Sequence, residues 1–384
     1  DAMQTLVQEN DLSSDEISTL RAIVVNFGSN ERLLQFPNKT LSINENDCDY
    51  NCLEIAIQLE AIEILLDAKE RGYVGLERNG VPQILGQGQY NVVQLAYTQE
   101  NKKGPIALKP CDLAKEKHDG EAFTRTAQLT ELFIGPPSGI YRRNRITSDL
   151  QDMFCDIGKK FKINVPHVIA SVFGAEVKKI PCIAMEWLDG LTLCQAARKK
   201  QILYDSEFIR RESWMQILDI LAGQIDRHPN NVMLTKNGPV AFDHDLSFPT
   251  HPPRSFASII PKVIAMTMGM PEDGRPAVAV DGVMTHNYCM LPVIDSEMYT
   301  IITNLDLQKL KGMYQKRGLP RSAMKAAMAR AQALKKKAEK LKQRGLVIEP
   351  NEWEHSEKVK TLCSSDNFYA KWHFSSYHEK TKTE

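Results

Sequence analysis

An α+β chain in two lobes, a small antiparallel sheet followed by a mostly helical half, is the architecture that this sequence predicts, and three observations predict it. Between Val81 and Lys109, three short strand-like runs alternate with turn-forming residues. From Thr192 to Gly223 the apolar positions fall at helical spacing. Two polar clusters then follow, Asp226-Arg227-His228-Pro229-Asn230-Asn231 and Asp243-His244-Asp245, joined by a segment that reads as strand, Asn-Gly turn, strand. With 384 residues, 42% of them hydrophobic and 25% charged, the chain can bury one large two-lobed core or two modest ones.

Residues 1–75 read as a helical extension. Ser13-Ser14-Asp15-Glu16 can cap the run from Ile17 to Phe27, and Cys52 to Ala68 carries apolar residues at helical spacing. Residues 76–188 form the expected first lobe, with strands at Val81–Leu85, Asn91–Tyr97 and Pro105–Lys109 and the loop Gly86-Gln87-Gly88-Gln89-Tyr90 between the first two. A basic, irregular stretch with Arg142, Arg143, Arg145, Lys159, Lys160 and Lys162 precedes an apolar run from Val165 to Phe173. The strand that follows ends in Glu186-Trp187-Leu188-Asp189-Gly190, a polar, glycine-marked bend suited to a hinge. Residues 189–320 form the second lobe, with helices at Thr192–Lys200 and Ser206–Gly223. Residues 321–384 hold a basic helix, Ser322 to Gly345, and a tail with Trp353, Trp372, Phe374 and Tyr377 to dock it.

Composition narrows the partners. The 48 lysines and arginines balance 48 aspartates and glutamates, so no global field favours nucleic acid, and a polyanion site must be a local cluster. The eight cysteines are scattered without a Cys-x-x-Cys pair or a zinc-type Cys/His set, which fits reduced thiols in a cytoplasm. No run of about eighteen apolar residues suggests a membrane span, and the first residues lack the basic and apolar regions of a signal peptide.

The two polar clusters carry the chemistry. Phosphoryl transfer needs a carboxylate or imidazole at the attacking hydroxyl, an amide oxygen on a metal ion and a carboxylate on the nucleotide's metal. Asp226 or His228 suits the first role, Asn231 the second, and Asp243 the third, with Asp245 as second ligand or reserve. A strand hairpin between the clusters would return the chain so that Asn231 and Asp243 face one ion. Gly86, Gly88 and Gln89 can bring backbone amides to triphosphate oxygens, although a glycine pair serves most hairpins simply as a turn. Lys109 would reach the α- and β-phosphates, held by Glu121 or Glu131 on the next helix, with Glu121 preferred. Backbone groups near Glu186 to Leu188 would take an adenine.

Asp226-Arg227-His228 with Asn231 resembles the Asp-Arg-His-x-x-Asn loop of the phosphatidylinositol 3- and 4-kinase-like superfamily, which includes atypical protein kinases of the actin-fragmin kinase type. Lys109-Pro110 is similar to that group's nucleotide lysine, and Asp243-His244-Asp245-Leu246-Ser247-Phe248-Pro249 to the Asp-Asn-Gly-x-x-Phe-Pro run of type II phosphatidylinositol 4-kinases. The matches lie between about residues 81 and 250. His244 and Asp245 depart from the family's residues at those places. The resemblance implies a bilobal protein-kinase-like fold with helical additions at both ends, ATP and Mg2+ or Mn2+ as cofactors, and a phosphotransferase activity. Some secreted effectors of intracellular bacteria carry divergent domains of this kind, which would place such a chain in a host cytosol. A lipid kinase is expected to present a basic loop to inositol-lipid phosphates, yet Thr250 to Gly274 offers only Arg254 and Lys262, which favours protein Ser/Thr hydroxyls over a phosphoinositide. A pseudokinase scaffold or a nucleotidyl transferase on the same fold are the other readings. The basic tail helix, alone or with Arg142 to Lys162, is either a solvated face or a site for an inositol polyphosphate, calmodulin or an anionic membrane surface.

Overall fold

The computed structural model describes residues 34–36, 39–41, 48–74, 76, 84–87, 92–97, 105–110, 139–177, 180–199, 205–224, 227, 231–245, 247–248, 279–280, 283–284, 293–319 and 321–363. Contacts divide the chain into two compact units, each discontinuous in sequence. The first comprises residues 1–146, 171–187 and 311–325, and the second comprises residues 147–170, 188–310 and 326–384. One boundary therefore falls between Trp187 and Leu188, at the bend read as a hinge.

The first unit begins with helix α1 (Cys48–Arg71), followed by strands β1 (Ile84–Gln87), β2 (Val92–Tyr97) and β3 (Pro105–Pro110). Helix α2 (Ile140–Phe161) starts in this unit, and strands β4 (Val172–Val177) and β5 (Ile180–Glu186) complete its sheet. The five strands are antiparallel in the order β1-β2-β3-β5-β4, which puts the lysine-bearing β3 in the middle. Alternation along the strands puts Ile106, Leu108, Phe173, Ala175, Val177, Cys182 and Ala184 in one apolar cluster. Tyr73 stacks on Phe173 with ring centroids 4.2 Å apart, and Leu76 pairs with Glu176 along the sheet edge, so the chain leaving α1 closes this layer.

Helix α1 covers the opposite face, and Gly174 is what lets it come so close. A Cβ at that position would lie 2.2 Å from the carbonyl oxygen of Ile64. Asp67 ties the contact together. Its Oδ2 accepts from Gly174 N at 2.6 Å and from the Tyr141 hydroxyl at 2.7 Å, and its Oδ1 accepts from Arg71 Nε at 2.8 Å. Burial pushes the Asp67 carboxyl up, but these donors outweigh it and hold it below its ordinary value. Glu60, also on α1, accepts from Gly139 N and Arg142 N and so caps the start of α2, whose own first turn holds no acidic residue.

Helix α2 corrects the expectation of an irregular basic stretch. Tyr141, Ile146, Leu150, Met153, Phe154 and Ile157 are buried at helical spacing, a pattern that the interleaved arginines obscure. The arginines face inward. Arg142 Nη1 donates to Gly318 O and Arg145 Nη1 to Val172 O, each at 2.7 Å.

The second unit contains strand β6 (Gly190–Thr192) and helices α3 (Leu193–Arg198) and α4 (Ser206–Ala222), then strands β7 (Val232–Thr235) and β8 (Gly238–Ala241). Strand β9 (Ile294–Asp295) and helices α5 (Ser296–Thr303), α6 (Leu307–Lys316) and α7 (Arg321–Gln343) come next, of which Lys311 to Lys325 belong to the first unit. Strand β10 (Val347–Ile348) and helix α8 (Glu357–Cys363) end the described chain. Two further small ribbons, 34–36 with 39–41 and 279–280 with 283–284, stand outside these layers. Helix α4 is the centre of the unit. Asp205 caps its start through Phe208 N, Trp214 packs edge-on to Phe154, and every residue from Glu212 to Ala222 is buried. Trp353 Nε1 donates to Ser206 O and its ring joins Ile209, Val293 and Val359, so this part of the tail docks on the core as expected. Trp372, Phe374 and Tyr377 lie outside the described residues, as does the helix expected from Ile17 to Phe27.

The hairpin β7–β8 is present, but its loop is Lys236-Asn237 rather than Asn237-Gly238, because Thr235 pairs with Gly238. The Thr235 hydroxyl accepts from Asn237 N and donates to Gly238 O, which sets the turn one residue early. Gly86 likewise lies inside β1, at a register irregularity after Ile84, and not in the connecting loop.

Two outcomes follow for the first unit. Gly174→Ala should cost about 1–3 kcal/mol in a denaturant titration, because α1 must move off the sheet. Since Asp67 is depressed below 3.8, its contribution is fully present above that pH and is lost as pH falls through the folded value. Asp67→Asn should therefore show a smaller loss of melting temperature than the parent between pH 4 and lower values.

Candidate active site

Lys109 stands on β3 opposite Ile183 of β5, and Ile183 stands opposite Gly174 of β4. Directly opposed residues share a face, so the lysine projects from the face that α1 covers and away from Ile106 and Leu108. It is 9% exposed. The burial of so long a cationic side chain on a central strand is not what a solvated strand-end lysine would show. Helix α1 brings three buried carboxylates to its own inner face, Glu60, Glu63 and Asp67.

In the second unit the organising group is Arg227, which is fully buried. Its Nε and Nη2 each donate at 2.9 Å to the two carboxylate oxygens of Asp219 on α4. Its Nη1 donates to Asn231 O at 2.9 Å and to Phe242 O at 2.8 Å, while Nη2 also lies 2.9 Å from His244 Nδ1. Phe242 N in turn donates to Asn231 O at 3.0 Å, one rung beyond the paired Val232 and Ala241. One nitrogen therefore holds the residue that carries the amide and the residue that precedes Asp243.

That arrangement decides the state of His244. A guanidinium can only donate, so Nδ1 must accept, and the imidazole is neutral with its proton on Nε2. Burial, with Arg227 beside it, holds this histidine well below its ordinary value of 6.5.

The segment after β8 is tightly bent. Asp243 has φ 58° and Phe248 φ 57°, left-handed conformations that cost non-glycine residues about 1–3 kcal/mol each. Gln224 Nε2 donates to Asp243 O at 3.1 Å, Ser247 N to His244 O at 3.1 Å, and Phe248 N to Ala222 O at 2.7 Å. The hairpin core is strapped from the other side by a parallel bridge, with Ala241 N donating to Val168 O and Ala170 N to Ala241 O.

Of the residues singled out in the sequence, Asn231, Asp243 and Asp245 are thus brought to one end of the hairpin, Asn231 buried and the two aspartates half-buried. Glu186 ends β5 and Leu188 follows it. Asp226, His228, Gly88, Gln89, Glu121 and Glu131 lie outside the described residues. Sequence reasoning missed Asp219, Gln224 and the anchoring role of His244. Asp219 sits eight residues before Arg227 inside a helix that reads as ordinary core, and no spacing rule marks it.

Removing Arg227 alone leaves Asp219 as a buried charge without its counter-ion. Arg227→Met should destabilise the fold by about 3–5 kcal/mol, and the double variant Arg227→Met/Asp219→Leu should regain much of that loss in the same urea titration.

No protein-family model matches the sequence, and no curated protein matches it. Among solved structures, the PknI kinase domain of M. tuberculosis aligns at 18% identity and a TM-score of 0.30, over 70% of this chain and 98% of that one. Rad53 residues 1–466, in complex with AMP-PNP, aligns at 17% identity and a TM-score of 0.30, over 73% of this chain and 65% of that one. Scores of this size carry no argument about this chain, and its α+β class rests on the elements described above.

Proposed function

We propose that the chain is an ATP- and divalent-metal-dependent phosphotransferase, an atypical kinase that acts on protein Ser/Thr hydroxyls. The observation that supports this reading is the bridge from Arg227 Nη1 to Asn231 O and Phe242 O, which holds the backbone of Asn231 and of the residue before Asp243 at the same end of one hairpin. The donor set fits the metal. An amide oxygen with one or two carboxylates is the hard, sparse ligand set that Mg2+ or Mn2+ takes when phosphates and water complete its shell. Among the described residues no three His, Cys, Asp or Glu side chains converge, so no all-protein cage competes with that assignment.

Asn231 and Asp243 would hold the cation, with Asp245 as second ligand. Bound there, the cation supplies neutralisation of charge on the transferring phosphoryl group. In the first unit, Lys109 is the residue that the sequence assigns to the α- and β-phosphates; in the second, either Asp226 or His228, on each side of Arg227 in the sequence, would accept or orient the proton of the attacking hydroxyl. Protein hydroxyls are favoured as acceptors by the sparse basic content of Thr250 to Gly274.

Wild-type protein incubated with γ-labelled ATP and Mg2+ or Mn2+ should transfer label to itself or to a protein acceptor. Asp243→Ala and Lys109→Met should each lower the rate by about a hundredfold or more without loss of fold. Label that enters phosphoinositide vesicles instead would favour a lipid kinase. Intact-mass gain of an adenylyl group would indicate a nucleotidyl transferase, and no gain at all would indicate a pseudokinase.

A further inference from the structure

The basic helix α7 is amphipathic, with Ala323, Ala326, Ala327, Ala331, Leu334, Ala338 and Leu341 inside and Lys325, Lys336 and Lys340 outside. Among its described side chains one cation is on the wrong side of that division. Arg330 is 2% exposed, and it meets the chain where α4 ends and the first polar loop begins.

Helix α4 already closes itself. Gln224 N donates to Asp219 O at 3.0 Å and Gly223 N to Ile220 O at 3.1 Å, the two bonds of a Schellman cap, with Gly223 left-handed at φ 62°. Two carbonyls remain beyond that cap, and Arg330 takes both, Nε donating to Leu221 O at 3.3 Å and Nη2 to Ala222 O at 3.2 Å. The guanidinium lies against Gly223 so closely that a Cβ there would be 2.5 Å from its central carbon. Ala222 O is also the acceptor for Phe248 N, and the next residue but one, Gln224, holds Asp243 O through its side chain. The strained segment from Asp243 to Phe248 is therefore tied at both ends to the two residues that flank Gly223.

We propose that Arg330 is a positioning residue for the metal-binding segment 243–248, acting through the Ala222 carbonyl and Gly223. A cation at a helix C-terminus both satisfies and polarises the last carbonyls, so one oxygen can serve Arg330 and Phe248 together. Without it, the Leu221 and Ala222 carbonyls lose their shared donor, the acceptor of Phe248 N is no longer held from both sides, and the left-handed Asp243 and Phe248 relax toward ordinary backbone. A helix outside the two polar clusters thereby sets the geometry of one of them. The effect on turnover rests on the phosphotransferase reading, whereas the effect on segment order does not.

The test compares wild type, Arg330→Met and Arg330→Lys by hydrogen exchange and steady-state kinetics. In Arg330→Met, amide exchange across 242–248 should rise about tenfold or more while β3 to β5 keep their protection. With phosphoryl transfer as readout, kcat should fall about tenfold with little change in the KM for ATP, the pattern of a lost transition-state interaction. Arg330→Lys should recover part of both, since an ammonium reaches the carbonyls without the planar fork. Millimolar methylguanidinium added to Arg330→Ala should restore protection at 242–248. Exchange at 242–248 unchanged from wild type, or raised equally in every segment, would overturn the proposal. Should Arg330→Met fail to fold, Arg330→Lys decides by the same two criteria. A wild type that transfers no phosphate removes the phosphotransferase reading, and the exchange data still judge Arg330.

Discussion

The guanidinium of Arg227 is the point on which the polar end of the second unit depends. It is dehydrated completely, and its donors go to one carboxylate, two backbone carbonyls and one imidazole. A buried ion pair is weak evidence for stability, because desolvation cancels most of the Coulomb attraction. What the arrangement supplies is geometry. Two strand ends that would otherwise fray are held to one planar group, so the side chains just beyond them keep fixed directions. A lysine could not replace it, since a single ammonium cannot reach a bidentate partner and two divergent carbonyls in one plane.

Around that group the packing is arranged in successive supports. Asp219, which fixes Arg227, is itself the residue whose carbonyl receives the Schellman bond at the end of α4. Helix α4 is gripped near its start by Trp353 and at its end by Arg330, both contributed by residues beyond 320. The first unit uses the opposite charge in the same way. Asp67 accepts from α1, α2 and β4, and the close approach at Gly174 is possible because that carboxylate receives the glycine's own N–H. In each unit one buried charged side chain satisfies groups from several segments, and the apolar layers fill the space around it.

The parts of the molecule legible in the sequence are those with local periods. Two strands from Val92 to Pro110, helix α4 with its glycine stop, and the two strands of the β7–β8 hairpin fall where alternation and helical spacing put them, whereas the first strand runs Ile84–Gln87 rather than Val81–Leu85. Errors arose where side-chain chemistry and local pattern disagreed. The arginines of α2 hid its apolar stripe, since their heads find carbonyl acceptors inside rather than water outside. The turn at Lys236-Asn237 was displaced by a threonine hydroxyl, a competitor that the Asn-Gly signal does not weigh. The partners of Arg227 carry no local signal, because Asp219 and His244 reach it only through the packing of α4 and the hairpin.

From the residues alone one can determine which elements exist, their order, and which side chains have the chemistry for phosphate and metal, because propensity and residue type act over a few neighbours. Only the folded arrangement decided that Asn231 and Phe242 share one nitrogen, that His244 is a neutral acceptor, that Asp243 and Phe248 are left-handed, and that a basic tail helix buries one of its arginines. Each of these depends on groups distant in the chain meeting in a dry interior. There an unmatched donor or charge is costly, so its partner is selected by geometry and not by position in the sequence.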